Sequence, residues 1–138
     1  MVATPAARRR ILIVDDDRAL RHALATLLSD AGHAVDQVGD GGDALRRLDA
    51  GVFDIVLLDI GLPRVDGFMV AHAIRARFAH LPMRPRLWAL TGHGREEDRL
   101  SAMRSGFDGH LTKPVEPKLL LRLIANEGQW QVMPSELG

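Results

Sequence analysis

The chain contains no cysteine, which excludes a disulfide framework, thiol nucleophiles and thiolate-ligated zinc, and accords with a reducing compartment. It has no excess charge of either sign. Its 18 Lys and Arg residues balance 18 Asp and Glu residues, so no global field draws it to nucleic acid or to an anionic membrane. No apolar run approaches the roughly 20 residues of a membrane span, and Met1 to Arg10 lacks the apolar centre of a signal peptide. Internal repeats and low-complexity segments are also lacking. What remains is one domain of 138 residues, long enough to form a core without covalent staples. It is expected in the cytoplasm, with neither nucleic acid nor membrane as a partner.

The chain is organised around Ile55-Val56-Leu57-Leu58-Asp59, an unbroken apolar run that stops at an aspartate and enters a Gly61/Pro63 loop. The run lacks polar alternation, as suits a parallel strand covered on both faces, and the loop ends it by turn chemistry. A carboxylate at the end of such a strand belongs at the lip of the sheet, paired or beside a metal.

Residues 1–9 form a flexible lead-in whose Arg8-Arg9-Arg10 run is a weak signal for a nucleic-acid arm. Ile11 to Val14 is a strand ending on Asp15-Asp16-Asp17. Asp17 is placed to cap a helix carrying Leu20, Leu24, Leu27, Leu28 and Ala31, which Gly32 stops. Ala34 to Val38 is a weaker strand, and a short helix lies between Asp40 and Gly51. Asp66 is placed to cap a helix with Met69, Val70, Ala73, Ile74 and Phe78 as its apolar residues. Arg86 to Thr91 is a strand, and a charged helix then runs through Arg104 to Gly106. Asp108 to Thr112 is the last strand, followed by Lys113-Pro114 and a helix from about Glu116 to Asn126 with Leu119, Leu120, Leu123 and Ile124 inward. Residues 128–138 form a linker or a packed tail.

Strict strand-helix alternation predicts a doubly wound, five-stranded parallel sheet with helices on both faces, whose functional crevice lies at the carboxyl ends of the strands. Those ends carry Asp15 and Asp16, Asp59, Thr91 and Lys113. Gathered carboxylates repel unless a cation sits among them, and magnesium, which prefers oxygen and keeps several waters, suits such a set. A carboxylate can also attack phosphorus and carry the group as an acyl phosphate. Lys113 and Thr91 would then supply an ammonium and a hydroxyl to phosphoryl oxygens.

The ordered set Ile11-Leu12-Ile13-Val14-Asp15-Asp16-Asp17, Leu57-Leu58-Asp59-Ile60-Gly61-Leu62-Pro63 with Asp66-Gly67, Ala89-Leu90-Thr91-Gly92 and Leu111-Thr112-Lys113-Pro114 resembles the receiver domain of two-component response regulators. The likeness spans roughly Arg10 to Ala125 and places the domain at residues 10–127. It implies a flavodoxin-like fold with strand order 2-1-3-4-5, an order taken from the family and not from periodicity. It implies Asp59 as phosphoacceptor, with Asp16 bound directly to magnesium, Asp15 acting mainly through a bound water, and the Gly61 carbonyl completing the protein ligands. Thr91 would bond a phosphoryl oxygen, Lys113 would pair with the phosphate, and Lys113-Pro114 would be a cis bond. The donor would be a histidine kinase or a histidine phosphotransfer protein. Thr91 would draw the helix-strand-helix face from about Arg95 to Ala125 into a second packing read by an unknown downstream protein, and hydrolysis would reset it. Such a domain is no conventional enzyme, although it promotes its own phosphorylation and dephosphorylation. Phosphorylation-driven homodimerisation is compatible with the likeness.

Several positions depart from the commoner pattern. His110 stands where receivers usually carry the Tyr or Phe that moves with the threonine; it can pack as a small aromatic or titrate near neutral pH. Gly61 and His93 occupy positions that modulate phosphate lifetime. His22, His33, His72 and His80 read as helix-surface or loop residues. Ala89 to Gly94 and Gly106 to Leu111 look most like receivers attached to hybrid sensor kinases, which leaves a stand-alone regulator and a receiver module both open. The competing class is a haloacid-dehalogenase-type phosphatase with Asp15 as nucleophile and Asp17 as acid/base, which leaves Asp59 and Lys113-Pro114 without a joint explanation.

Overall fold

The computed structural model describes residues 8–62, 67–81, 83–92 and 106–126. Five strands, β1 (Arg10–Val14), β2 (Ala34–Val38), β3 (Ile55–Asp59), β4 (Arg86–Thr91) and β5 (Gly109–Thr112), form one parallel sheet in the order β2-β1-β3-β4-β5. The helices among the described residues are α1 (Arg18–Asp30), α2 (Gly41–Ala50), α3 (Gly67–Arg77) and α4 (Pro117–Ala125). The expected fold class and strand order are thus observed. Asp66, His93 and the expected charged helix before Gly106 lie outside the described residues.

The continuous apolar strands feed two cores. Alternate residues of a strand face opposite sides, so Leu12, Val14, Val56, Leu58, Leu87 and Ala89 pack with Ala44 and Leu48 of α2 and Val70, Ala71 and Ile74 of α3. Ile11, Ile13, Ile55, Leu57, Trp88, Leu90 and Leu111 pack with Leu24, Ala25 and Leu28 of α1 and Leu120, Leu123 and Ile124 of α4. Each side chain of β3 is buried, which is why the strand has no polar alternation. At roughly 25 cal/mol per Å², each large aliphatic side chain buried here contributes about 2 kcal/mol before chain entropy is set against it.

Local chemistry fixes the helix ends. Asp17 accepts the N–H of Leu20 at 3.2 Å and Asp40 that of Asp43 at 2.7 Å, each satisfying a donor with no partner inside the helix. Glu116 accepts from Lys118 and Leu119, with Pro117 in the first turn. Gly32, at φ 99°, supplies the left-handed residue that ends α1.

Two sequence expectations are corrected, and the loop position of His33 gains a structural role. Asp108 precedes β5 rather than beginning it. Its carboxylate accepts the N–H of Leu87 at 2.8 Å and ion-pairs with Arg84, Arg75 and Arg86 at 3.0, 3.3 and 3.6 Å, so it works as a charge hub at the start of β4. Met69, expected on the apolar face of α3, is 61 % exposed. His33 is buried, and its Nδ1 accepts the N–H of Arg9 at 3.0 Å, tying the start of β1 to the α1–β2 turn.

Burial, reinforced by the Arg9 charge, lowers the pKa of His33. A histidine whose folded pKa lies below its ordinary value near 6.5 takes up protons more readily when unfolded, so stability falls as pH drops through that value. Protonation of Nδ1 would also remove the acceptor for Arg9. The melting temperature is therefore expected to fall more steeply between about pH 7.5 and about pH 5.5 in the native chain than in His33→Asn, whose Oδ1 retains an acceptor that does not titrate. Parallel slopes in thermal melts would remove His33 from the account.

Candidate functional site

Strand register gathers the site. Val14 is paired with Leu58, Asp59 with Leu90, and Thr91 with Thr112. Asp59 and Thr91 within these pairs, and Asp15 and Lys113 one residue beyond them, reach the same carboxyl edge, because a parallel sheet sends every strand end in one direction. The expected residues are brought together there, with Asp16 beside them.

Asp15 is fully buried, Asp59 is 6 % exposed and Asp16 is open to solvent. One carboxylate oxygen from each lies within 4.8 Å of the others. Asp15 Oδ1 accepts the N–H of Asp17 at 2.9 Å, and Asp59 Oδ1 accepts that of Gly61 at 2.9 Å. Lys113 Nζ lies 2.8 Å from Asp15 Oδ2 and 3.4 Å from Asp59 Oδ2. The first of these contacts is an ion pair out of hydrogen-bond alignment, leaving Asp15 Oδ2 buried without an aligned donor. Thr91 is fully buried, and its Oγ1 donates a long 3.5 Å bond to the Leu111 carbonyl. Lys113-Pro114 is a cis bond. His110 is half-buried on β5, opposite Ala89 in the register.

The electrostatics follow from this geometry. Burial raises the pKa of Asp59; the Gly61 N–H pulls it back, the Asp15 charge adds to the rise and Lys113 opposes it, with a net upward shift. Burial disfavours the Lys113 ammonium, but its contacts with Asp15 and Asp59 outweigh that effect and its pKa is raised. One ammonium faces three carboxylates, so the cluster retains a formal excess of two negative charges. All of its donors are hard oxygens, and one carboxylate reaches solvent; this donor set fits a hard divalent cation that keeps part of its water shell.

Sequence reasoning missed two supporting residues. Arg21, one turn into α1, donates from Nη1 to the Asp15 carbonyl at 3.0 Å and from Nε to Gln37 Oε1 at 3.2 Å, holding the acidic loop against β2. Gly67 begins α3 so close to β3 that a Cβ there would lie 2.5 Å from the Asp59 carbonyl oxygen. An arginine spaced along α1 from an acidic loop offers a faint signal for the first; the second shows only as a glycine inside the Asp66-Gly67 pair. Asp17, the acid/base of the phosphatase alternative, has its Oδ1 engaged in the α1 cap.

Residues 11–125 match the family model of the response regulator receiver domain. The chain is 36 % identical over 127 residues to the response regulator protein FleR of Pseudomonas aeruginosa, covering 92 % of this chain but 26 % of that longer protein. The solved chemotaxis protein CheY4 of Vibrio cholerae is 29 % identical, with a TM-score of 0.78 covering 86 % of this chain and 97 % of that one. A likeness of fold alone, at 24 % identity and a TM-score of 0.83 over 90 % of this chain and 91 % of that one, connects it to a Saccharomyces cerevisiae structure. That structure is a co-crystal of the histidine phosphotransfer signaling protein Ypd1 with the receiver domain of its downstream response regulator Ssk1.

Proposed function

Because this chain belongs to the response regulator receiver domain family, we propose that Asp59 accepts a phosphoryl group from a phosphohistidine of a histidine kinase or histidine phosphotransfer protein. The observation that carries this reading is the carboxylate trio within 4.8 Å, with Lys113 Nζ 2.8 and 3.4 Å from two of its members. A carboxylate oxygen of Asp59 attacks phosphorus, the donor's N–P bond breaks, and the imidazole leaves with the electron pair. Asp16 and Asp59, with Asp15 through water and the Gly61 carbonyl, would hold magnesium, which supplies neutralisation of charge on the transferring oxygens. Lys113 exchanges part of its pairing with Asp59 for a phosphoryl oxygen. Thr91 gives up its long bond to the Leu111 carbonyl for a stronger charge-assisted one. That movement would repack β5, His110 and α4, the described part of the face read by a downstream protein. Water attack on the acyl phosphate returns the carboxylate.

The test is intact mass after incubation with acetyl phosphate. One phosphoryl group is expected with magnesium and about a hundredfold less label in the same time with chelator. Metal-independent labelling to the same extent would overturn the proposed role of the acidic cluster.

A further inference from the structure

The three acids of the cluster are fixed unequally. Asp15 and Asp59 each have a carboxylate oxygen held by a backbone N–H at 2.9 Å. The Asp16 carboxylate is open to solvent, so its aim rests on the backbone that carries it. That backbone lies beyond the last pair of β1 and β2, Val14 with Val38. The Asp15 N–H still reaches the Val38 carbonyl at 3.2 Å, and the Asp15 carbonyl accepts Arg21 Nη1 at 3.0 Å. A peptide unit is planar, so a carbonyl held at that point sets the Asp16 N–H and Cα, and with them the origin of the Asp16 side chain.

The guanidinium is itself held. Its Nε donates to Gln37 Oε1 on β2 at 3.2 Å, and Arg21 and Gln37 are both half-buried. Gly39 leaves room for it, since a Cβ there would lie 3.3 Å from Nη1. Both side-chain acceptors are neutral, a carbonyl and an amide, so the planar fork is used here for its geometry rather than to pair a charge.

Charge and geometry act in opposite senses on a metal. A cation this close to the cluster repels any divalent ion that enters it, so on charge alone the loss of Arg21 would tighten magnesium and calcium alike. Orientation discriminates between them. Magnesium demands near-octahedral ligands at about 2.0–2.1 Å, whereas calcium accepts looser and more numerous ones at about 2.3–2.6 Å. A freed Asp15-Asp16 peptide therefore penalises magnesium more.

We propose that Arg21 is a positioning residue that fixes Asp16 through the Asp15 carbonyl and so makes the cluster prefer magnesium to calcium. This rests on the reading of Asp15, Asp16 and Asp59 as a metal site given above.

Affinities are read from the rise in melting temperature with magnesium or calcium concentration, each variant being compared with its own metal-free melt so that lost stability does not count as lost preference. Arg21→Lys keeps the charge but cannot reproduce the fork. It is expected to weaken magnesium about tenfold, as removal of groups that orient metal ligands does, and calcium by less than about threefold. Arg21→Ala also removes the repulsion, so magnesium should weaken while calcium binds as in the native chain or more tightly. Gln37→Ala leaves the bond to Asp15 but frees Nε, and should fall between the native chain and Arg21→Lys. An unchanged preference in all three variants, or a parallel change for both metals, would overturn the role of Arg21 while leaving the metal site in place. A native chain with no magnesium-dependent stabilisation that Asp16→Asn removes would overturn the metal site itself, and this proposal with it.

Discussion

Asp59→Asn is expected to take up no phosphoryl group from acetyl phosphate and, without metal, to melt a few degrees above the native chain. The first effect removes the nucleophile, because an amide oxygen cannot form the acyl phosphate. The second follows from the sign of the Asp59 shift. An acid whose folded pKa is raised is easier to protonate in the native state, so its ionised form weakens the fold. That weakening is complete above the folded pKa and disappears as pH falls below the unfolded value. Asparagine abolishes it while retaining an acceptor for Gly61, and Lys113 keeps Asp15 at 2.8 Å. The gap between variant and native chain should close on acidification. Magnesium should also close it, since a ligand held by more carboxylates stabilises the native chain more. Thermal melts and intact mass on native, Asp59→Asn and Asp15→Asn proteins separate the readings. Asp15→Asn should still label, only more slowly. Label persisting in Asp59→Asn and lost in Asp15→Asn would move the nucleophile to β1 and revive the phosphatase alternative.

Much of this site was legible because it depends on strand ends. Each apolar run marks a strand and each following polar residue its carboxyl terminus, and in a parallel sheet those ends share an edge; Asp15, Asp59, Thr91 and Lys113 therefore follow from alternation alone. What failed to show depends on contacts distant in sequence. Asp108 looks like punctuation before a strand, since nothing near it announces Arg75 and Arg84, 33 and 24 residues away. His33 sits in a turn-like context, and its acceptor role is set by Arg9, 24 residues back. Met69 was misplaced for another reason. Around it, Phe68, Val70, Ala71, Ala73 and Ile74 spread apolar character over the whole circumference of α3, so periodicity cannot choose the buried face. Arg21 reads as an ordinary charged helix residue until the fold brings β2 and the acidic loop beneath it.

Gly67→Ala tests how tightly the scaffold and the site are joined. A Cβ at this position would lie 2.5 Å from the Asp59 carbonyl oxygen, 2.5 Å from Ile60 Cα and 3.0 Å from the Asp59 carbonyl carbon. These are backbone atoms, and no side-chain rotation can relieve the overlap. The first turn of α3 must lift or the end of β3 must turn. Lifting is resisted by Val70, Ala71 and Ile74, all essentially buried in the core beneath α3, and turning β3 displaces the Asp59 carboxylate from Lys113 and Asp15. Overpacking against backbone places the cost near the upper end of its range, about 3 kcal/mol, against a total stability of about 5–15 kcal/mol for a domain of this kind. The variant should fold, melt roughly 10 °C lower and accept phosphoryl groups at least about tenfold more slowly, since a small displacement of the nucleophile is costly. Gly42→Ala is the matched control: the same added methyl, on α2, meets nothing nearer than the Asp40 carboxylate at 3.4 Å. There the helical preference of alanine should raise stability by about 0.5–1 kcal/mol and leave labelling unchanged. Native melting and labelling in Gly67→Ala would show that the start of α3 has slack, and that the position of Asp59 is set by strand pairing with β1 and β4 alone.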